Sequence, residues 1–254
     1  MILLISSAIA SADNLKFTAR YDAYWSGVRV GKAILDIEET NNTYKANLHL
    51  GAKGIAKKIS KYWSSNSASG VKQANKYTPT NYTTHYNRKK ENRKITANFA
   101  NNAVDNITIT PPEREGKRPF LTDAQKQDVL DPISVALQIR EKLKEVRDNG
   151  YKLPYKFTMP VFDGKRKFNL HITVKGLVKR KAAKTKEIWI QTKRQAIAGF
   201  SHNELKRMKT NEPIMDIYID TKTLLPTYGI GKAPIGYATI KLVKYCNDDK
   251  DACF

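Results

Sequence analysis

One stretch limits what this chain can fold into more than any other. From Asp131 to Val146, DPISVALQIREKLKEV, apolar residues recur at helical spacing, and no other long segment does this. Ile133, Ala136, Leu137, Arg140 (through its aliphatic stem), Leu143 and Val146 fall at steps of three and four, which predicts one apolar stripe. Asp131 is placed to cap the free amides of the first turn, and Pro132 stands at the first helical position, where a missing N–H costs nothing. Asn149 and Gly150 tolerate the left-handed backbone that ends a helix, so the predicted element covers 131–147. A lone amphipathic helix among strands covers or plugs one face of a sheet.

Almost everything else alternates with period two. Leu15, Phe17, Ala19, Tyr21 and Ala23 form one face of a first strand, Ser26-Gly27 turns the chain, and Val28 to Ile37 returns with a bulge predicted at Gly31. Asn41-Asn42 precedes a strand through Tyr44, Ala46, Leu48 and Leu50, while 51–58 breaks the pattern. Tyr62 and Trp63 are adjacent and must point to opposite faces, one into the core and one outside it or under the helix. Strands follow at 82–86, 95–99 and 104–109, and the charged segment 112–128 reads as a surface loop leading to the helix. Beyond it, Asp163-Gly164 is bracketed by apolar and basic flanks as in a hairpin, Ile188 and Ile190 oppose Trp189, and strands near 217–219 and 237–242 complete about a dozen. The fold class is mainly β, a curved antiparallel sheet with one main helix packed against it. No linker divides the chain, so 13–254 is expected to be a single domain.

The first residues, MILLISSAIASA, carry an apolar run followed by Ala10-Ser11-Ala12, the pattern of a signal peptide (1–12) cleaved after Ala12. A periplasmic protein is therefore expected. Cys246 and Cys253 are then candidates for a disulfide, with two free thiols as the alternative. Lys and Arg number 45 against 24 Asp and Glu, a net charge of +21. These cations are spread along the strands, and an exported protein meets lipid head groups and acidic envelope polymers rather than chromosomal DNA. Nucleic acid is not expected as a partner; the cations read first as solvated faces of strands, with peripheral contact with an anionic membrane as the alternative.

Four landmarks, in order, are Tyr24-Trp25-Ser26-Gly27 with Val28, Val30 and Gly31; Leu130-Asp131-Pro132-Ile133-Ser134; Val161-Phe162-Asp163-Gly164-Lys165-Arg166; and Leu225-Pro226. Together they resemble the bacterial domain-of-unknown-function family 3108, over nearly the whole mature chain. The resemblance implies an exported envelope protein whose sheet curves into an open or spiral barrel, similar to periplasmic lipoprotein carriers. It carries no catalytic residue with it.

Chemistry is sparse. The four histidines are scattered, no zinc pair or nucleophile elbow is formed, and Gly229-Ile230-Gly231-Lys232 is followed by a proline that obstructs a phosphate-loop helix. No enzyme, metal or cofactor is expected. The expectation is a monomeric, non-enzymatic protein that binds a lipid, lipoprotein or extended peptide in the concavity of its sheet. The alternative is a basic adaptor for anionic envelope polymers, and a cryptic hydrolase ranks third. Ligand or rim candidates are Trp25, Trp63, Phe162, Asp163, Arg166 and Trp189. Simple structural roles compete for these landmarks: Trp25 as core, Gly27 and Gly164 as turn glycines, and Asp131 as a cap.

Overall fold

The structure, a computed structural model, describes residues 14–88, 91–210, 214–233 and 235–247. The leader expected at 1–12 lies outside them, and so does Cys253, hence also its pairing with Cys246. The strands are β1 (Leu15–Trp25), β2 (Val28–Glu39), β3 (Thr43–Ala52), β4 (Trp63–Gln73), β5 (Lys76–Arg88), β6 (Glu91–Ala100), β7 (Ala103–Thr110), β8 (Tyr155–Phe162), β9 (Lys167–Val178), β10 (Glu187–Ala198), β11 (Ile214–Asp220), β12 (Pro226–Lys232) and β13 (Tyr237–Asn247). They form one 13-stranded sheet in the order β7-β6-β5-β4-β3-β2-β1-β13-β12-β11-β10-β9-β8. Every pairing between them is antiparallel.

Sequence neighbours pair along the sheet except where β1 meets β13, with Phe17 opposite Asn247 and Trp25 opposite Ala238. The predicted bulge near Gly31 lies between Arg29 and Gly31, where the β1–β2 register slips. The edge strands are β7 and β8. The chain that links them crosses the gap: Gln127 bridges to Ala103 of β7, and Leu130 bridges to Val161 of β8. Leu130 N donates to Pro160 O at 3.1 Å, and Leu130 O accepts from Phe162 N at 2.8 Å. The barrel-like sheet is thus not closed by strand pairing; a connecting segment staples its two edges.

The helix predicted over 131–147 is α2 (Pro132–Asp148), with α1 (Gly54–Ser60) and α3 (His202–Thr210) as shorter additions. Asp131 caps α2 by accepting from Ile133 N at 2.9 Å and Ser134 N at 3.0 Å. At the far end it is Gly150, with φ +70°, that takes the left-handed conformation, while Asn149 does not. Ile133 and Leu137 join a cluster with Phe17, Tyr44, Tyr77 and Phe99 from the β1–β7 half. Val135, Leu143 and Val146 join a second cluster with Ile172, Ile188, Ile190 and Ile219 from the β8–β13 half. The predicted single stripe therefore needs correction. Ala136 is exposed, whereas Val135, Ser134, Gln138 and Glu141 are buried, because the helix lies between two apolar clusters. Burying a side chain such as Leu143 or Ile172, both at 0% exposure, contributes roughly 1.5 to 3 kcal/mol. Polar contacts fix the helix along its length: Tyr44 Oη and Ser134 Oγ are 2.6 Å apart, and Gln138 accepts from Tyr77 N at 3.0 Å and donates to Asn75 O at 2.7 Å.

Candidate functional site at the seam

The turn from Asp163 to Arg166 shapes the region beside the open seam. Gly164 has φ +92°, and a Cβ there would stand 2.7 Å from Ile95 Cγ2, so only glycine lets the turn lie against β6. Asp163 Oδ1 accepts from the amides of Lys165 (3.2 Å) and Arg166 (2.9 Å), which fixes the turn and sends the two cations apart. Lys165 Nζ reaches Glu113 Oε1 at 2.9 Å and Tyr86 Oη at 3.2 Å. Arg166 pairs with Asp163 and, at 3.0 Å, with Glu204 Oε1, and its guanidinium lies 5.5 Å from the centre of the Phe200 ring. Arg118 completes the group, donating to Glu113 Oε2 at 2.7 Å, Gly199 O at 2.9 Å and Glu204 Oε2 at 3.2 Å.

These charges clasp four separate elements: the 111–121 loop, the β8–β9 turn, the β5–β6 hairpin and the start of α3. Burial pushes the Glu113 carboxyl up, but hydrogen bonds and charge from Lys165 and Arg118 outweigh it and hold the group at about 2. Burial likewise lowers the Lys165 ammonium, opposed by Glu113. Arg166 is held above its ordinary value because Asp163 and Glu204 overcome its burial. Such a cluster is suited to locking a loop. Its carboxylates and cations already satisfy one another, so it is not poised for proton transfer.

Beside the clasp is a cleft of about 550 Å³, walled by Ile107 and Ile109 of β7, by Pro119, Phe120 and Leu121 of the loop, and by Gly164-Lys165. Arg114, Lys126 and Asp105 add charge to its lining, and Phe120 is 90% exposed. The wall formed by β7 is a sheet edge. Among the described residues, no backbone hydrogen bond outside the sheet ladder reaches 104–110, so that edge keeps donors and acceptors free for another strand.

The sequence-derived candidates are distributed as follows. Phe162, Asp163 and Arg166 come together at this seam, Phe162 fully buried and the other two inside the clasp. Trp189 lies on the outer face, stacked on Tyr218 at 6.3 Å and donating to Asp216 Oδ1 at 2.9 Å. Next to it Arg180 lies 4.7 and 4.6 Å from the Tyr218 and Tyr228 rings and pairs twice with buried Glu187. Trp63 is partly exposed, edge-on to His85, and Trp25 is 48% exposed at the end of β1 rather than in the core. The six candidates therefore do not form one site.

Glu113, Arg118 and Glu204 were not singled out from sequence, although Ser201-His202-Asn203-Glu204 carries a legible capping-box signature. Ser201, the nearest approach to a nucleophile elbow, begins α3 in that role, with its N and Oγ donating to Glu204 Oε2 at 2.8 and 3.0 Å. His85 bonds Asn92, and His171 bonds Thr158 and Gln195. Among the described residues, no group of three or more His, Cys, Asp or Glu side chains is placed to hold a metal ion. Gly229 and Gly231 lie within β12, where a Cβ would press on Ile240 and Met215, so both glycines serve strand packing.

Compared with known proteins, residues 20–242 match the sequence model of the family described as "Protein of unknown function (DUF3108)". No curated protein matches by sequence. Among solved structures, the chain is similar to a β-barrel-like protein of the domain-of-unknown-function family DUF1849 from Brucella abortus. That likeness has a TM-score of 0.57 and 11% identity, and covers 94% of this chain and 100% of the other. At that identity it establishes the fold alone.

Proposed function

From the premise that the chain belongs to the DUF3108 family of proteins of unknown function, we propose that it is a non-enzymatic protein of the cell envelope that binds an extended peptide or lipoprotein segment at the seam. The leader-like first residues support export, and they do so from sequence alone. α2 contributes to both apolar clusters, one from each half of the sheet. The cleft along β7 supports the seam as the binding place in preference to the concavity.

The observation that carries the reading is the open edge of β7 facing a cleft with an apolar wall. An extended peptide entering there adds a strand through main-chain hydrogen bonds, while Ile107, Ile109 and Phe120 receive its alternate side chains. A lipid tail would use the apolar wall and leave the backbone edge unpaired, so the edge favours peptide over free lipid.

The test combines native mass spectrometry of the protein purified from the envelope fraction with hydrogen exchange. Support requires a bound peptide or acylated peptide, slowed exchange across Val104–Thr110 in the loaded protein, and loss of both in Phe120→Asp. That side chain is 90% exposed, so the substitution spares the core. A reproducibly unloaded protein, or a bound species that leaves β7 exchange unchanged, overturns the reading.

A further inference from the structure

At the end of the sheet where β1 gives way to β2, two turns are joined. Trp25 Nε1 donates to Ile235 O, and Ser26 N donates to Tyr237 O at 2.9 Å. Gly236, at φ +73°, makes the junction possible, since a Cβ there would lie 2.1 Å from Ser26 Oγ. Around this contact Trp25 is 48% exposed, Val28 62%, Ile235 73% and Tyr237 59%. Single exposed apolar residues are ordinary on any protein. Here they adjoin, because Trp25 pairs with Val28 on one side and Ala238 on the other while its indole reaches Ile235.

Cations flank the patch on both sides. On one side α1 leans on β2, with Lys53 N bonded to Val30 O at 2.8 Å, and its last turn carries the exposed Lys57 and Lys58. On the other, Tyr237 shares a cleft with the exposed Lys209 and Lys232. Among the described residues, no salt bridge engages Lys57, Lys58, Lys209 or Lys232. The carboxylates nearby are already engaged: Asp22 with Arg29, and Asp216 with Trp189 and Gln191.

We propose that this end of the barrel docks on an anionic lipid bilayer, with Trp25, Val28, Ile235 and Tyr237 entering the headgroup layer and the flanking lysines meeting lipid phosphates. Trp and Tyr suit that layer because each joins an apolar ring to a polar atom. The charge complementarity of unpaired lysines around an apolar tip selects an anionic bilayer over an uncharged protein groove. The surface is separate from the seam and does not depend on what the seam binds.

The test uses the full chain and co-sedimentation with vesicles of phosphatidylcholine, with or without phosphatidylglycerol. The expected result is binding only to the anionic vesicles, weakened by salt, with tryptophan emission quenched by brominated acyl chains. The double variants Val28→Ser/Ile235→Ser and Lys57→Glu/Lys58→Glu should each weaken binding by about tenfold or more. Leu177→Ser, an exposed apolar site away from both turns, should leave it unchanged, with circular dichroism verifying that every variant is folded. Equal binding to neutral vesicles, no binding by the parent chain, or undiminished binding by the two double variants overturns the proposal. So does self-association of the parent chain that is lost in Val28→Ser/Ile235→Ser without any vesicle binding, which would assign the patch to a second copy.

Discussion

Lys165 Nζ lies 2.9 Å from Glu113 Oε1, with side chains only 9% and 11% exposed. Glu113 also meets Arg118 at 2.7 Å, Arg93 at 3.4 Å and Lys117 at 3.5 Å, so a single carboxylate faces four cations. Removing its charge by Glu113→Gln leaves the buried Lys165 ammonium without a carboxylate partner and should cost about 3 kcal/mol, read as a lowered urea midpoint. The pH dependence follows from the same site. The carboxyl is held at about 2 in the fold against an ordinary 4.5, so its contribution is complete above about pH 4.5 and is lost as pH falls toward 2. Unfolding curves of the parent and Glu113→Gln proteins should therefore converge across that window.

Asp131 behaves in the opposite sense. Burial pushes its carboxyl up to about 6, although the Ser134 hydroxyl and the amides of Ser134 and Ile133 pull it down. With the folded value above the ordinary 3.8, the protonated form is favoured in the fold, and the contribution of this group declines as pH rises through 6. Asp131→Asn keeps an oxygen to cap α2 and should remove that pH dependence. Asp131→Ala should cost about 1 to 2 kcal/mol by loss of the cap. Thermal unfolding at a series of pH values separates the two.

The position of α2 between two apolar clusters can be tested with two neighbouring substitutions. Leu143 is fully buried, and Leu143→Ala should cost about 2 to 5 kcal/mol. Ala136 is exposed, and Ala136→Ser should change stability by less than about 0.5 kcal/mol. Comparable losses at both sites in chemical denaturation would contradict this placement.

Gly70 marks a tight point in the sheet. A Cβ there would stand 2.2 Å from Thr78 O and 2.8 Å from Tyr44 Cε1. Gly70→Ala should destabilise by about 1 to 3 kcal/mol through overpacking. Because Tyr44 is hydrogen-bonded to Ser134, hydrogen exchange should also quicken in the first turns of α2.

Much of the architecture was readable because its signals are local. Asp131-Pro132 marked the start of α2, and Ile188 with Ile190, at 0% and 1% exposure, showed the inward face of β10 as alternation required. The assignment of Ala136 failed because periodicity names one stripe and cannot reveal that a helix is covered on a second side. α3 was missed although its Ser201–Glu204 capping pair could have been read. The clasp is different in kind. Glu113 meets Lys165 across 52 positions and Arg118 meets Glu204 across 86, so in sequence each looked like one more solvated charge in a polar loop. The seam cleft was equally hidden, because it depends on which two strands remain unpaired.

The joining of β1 to β13 has a bearing on how the molecule is made. Read from β8 through β13 and on from β1 to β7, the sheet is an uninterrupted meander, with β13 and β1 meeting in its middle. Either half can zip up from hairpins as it is synthesised, but their strands join into one ladder only when β13 arrives beside β1. That pairing is a long-range closure, a slow kind of step, and stopping translation before Tyr237 would leave β1 and β12 each with a raw border in place of one continuous wall.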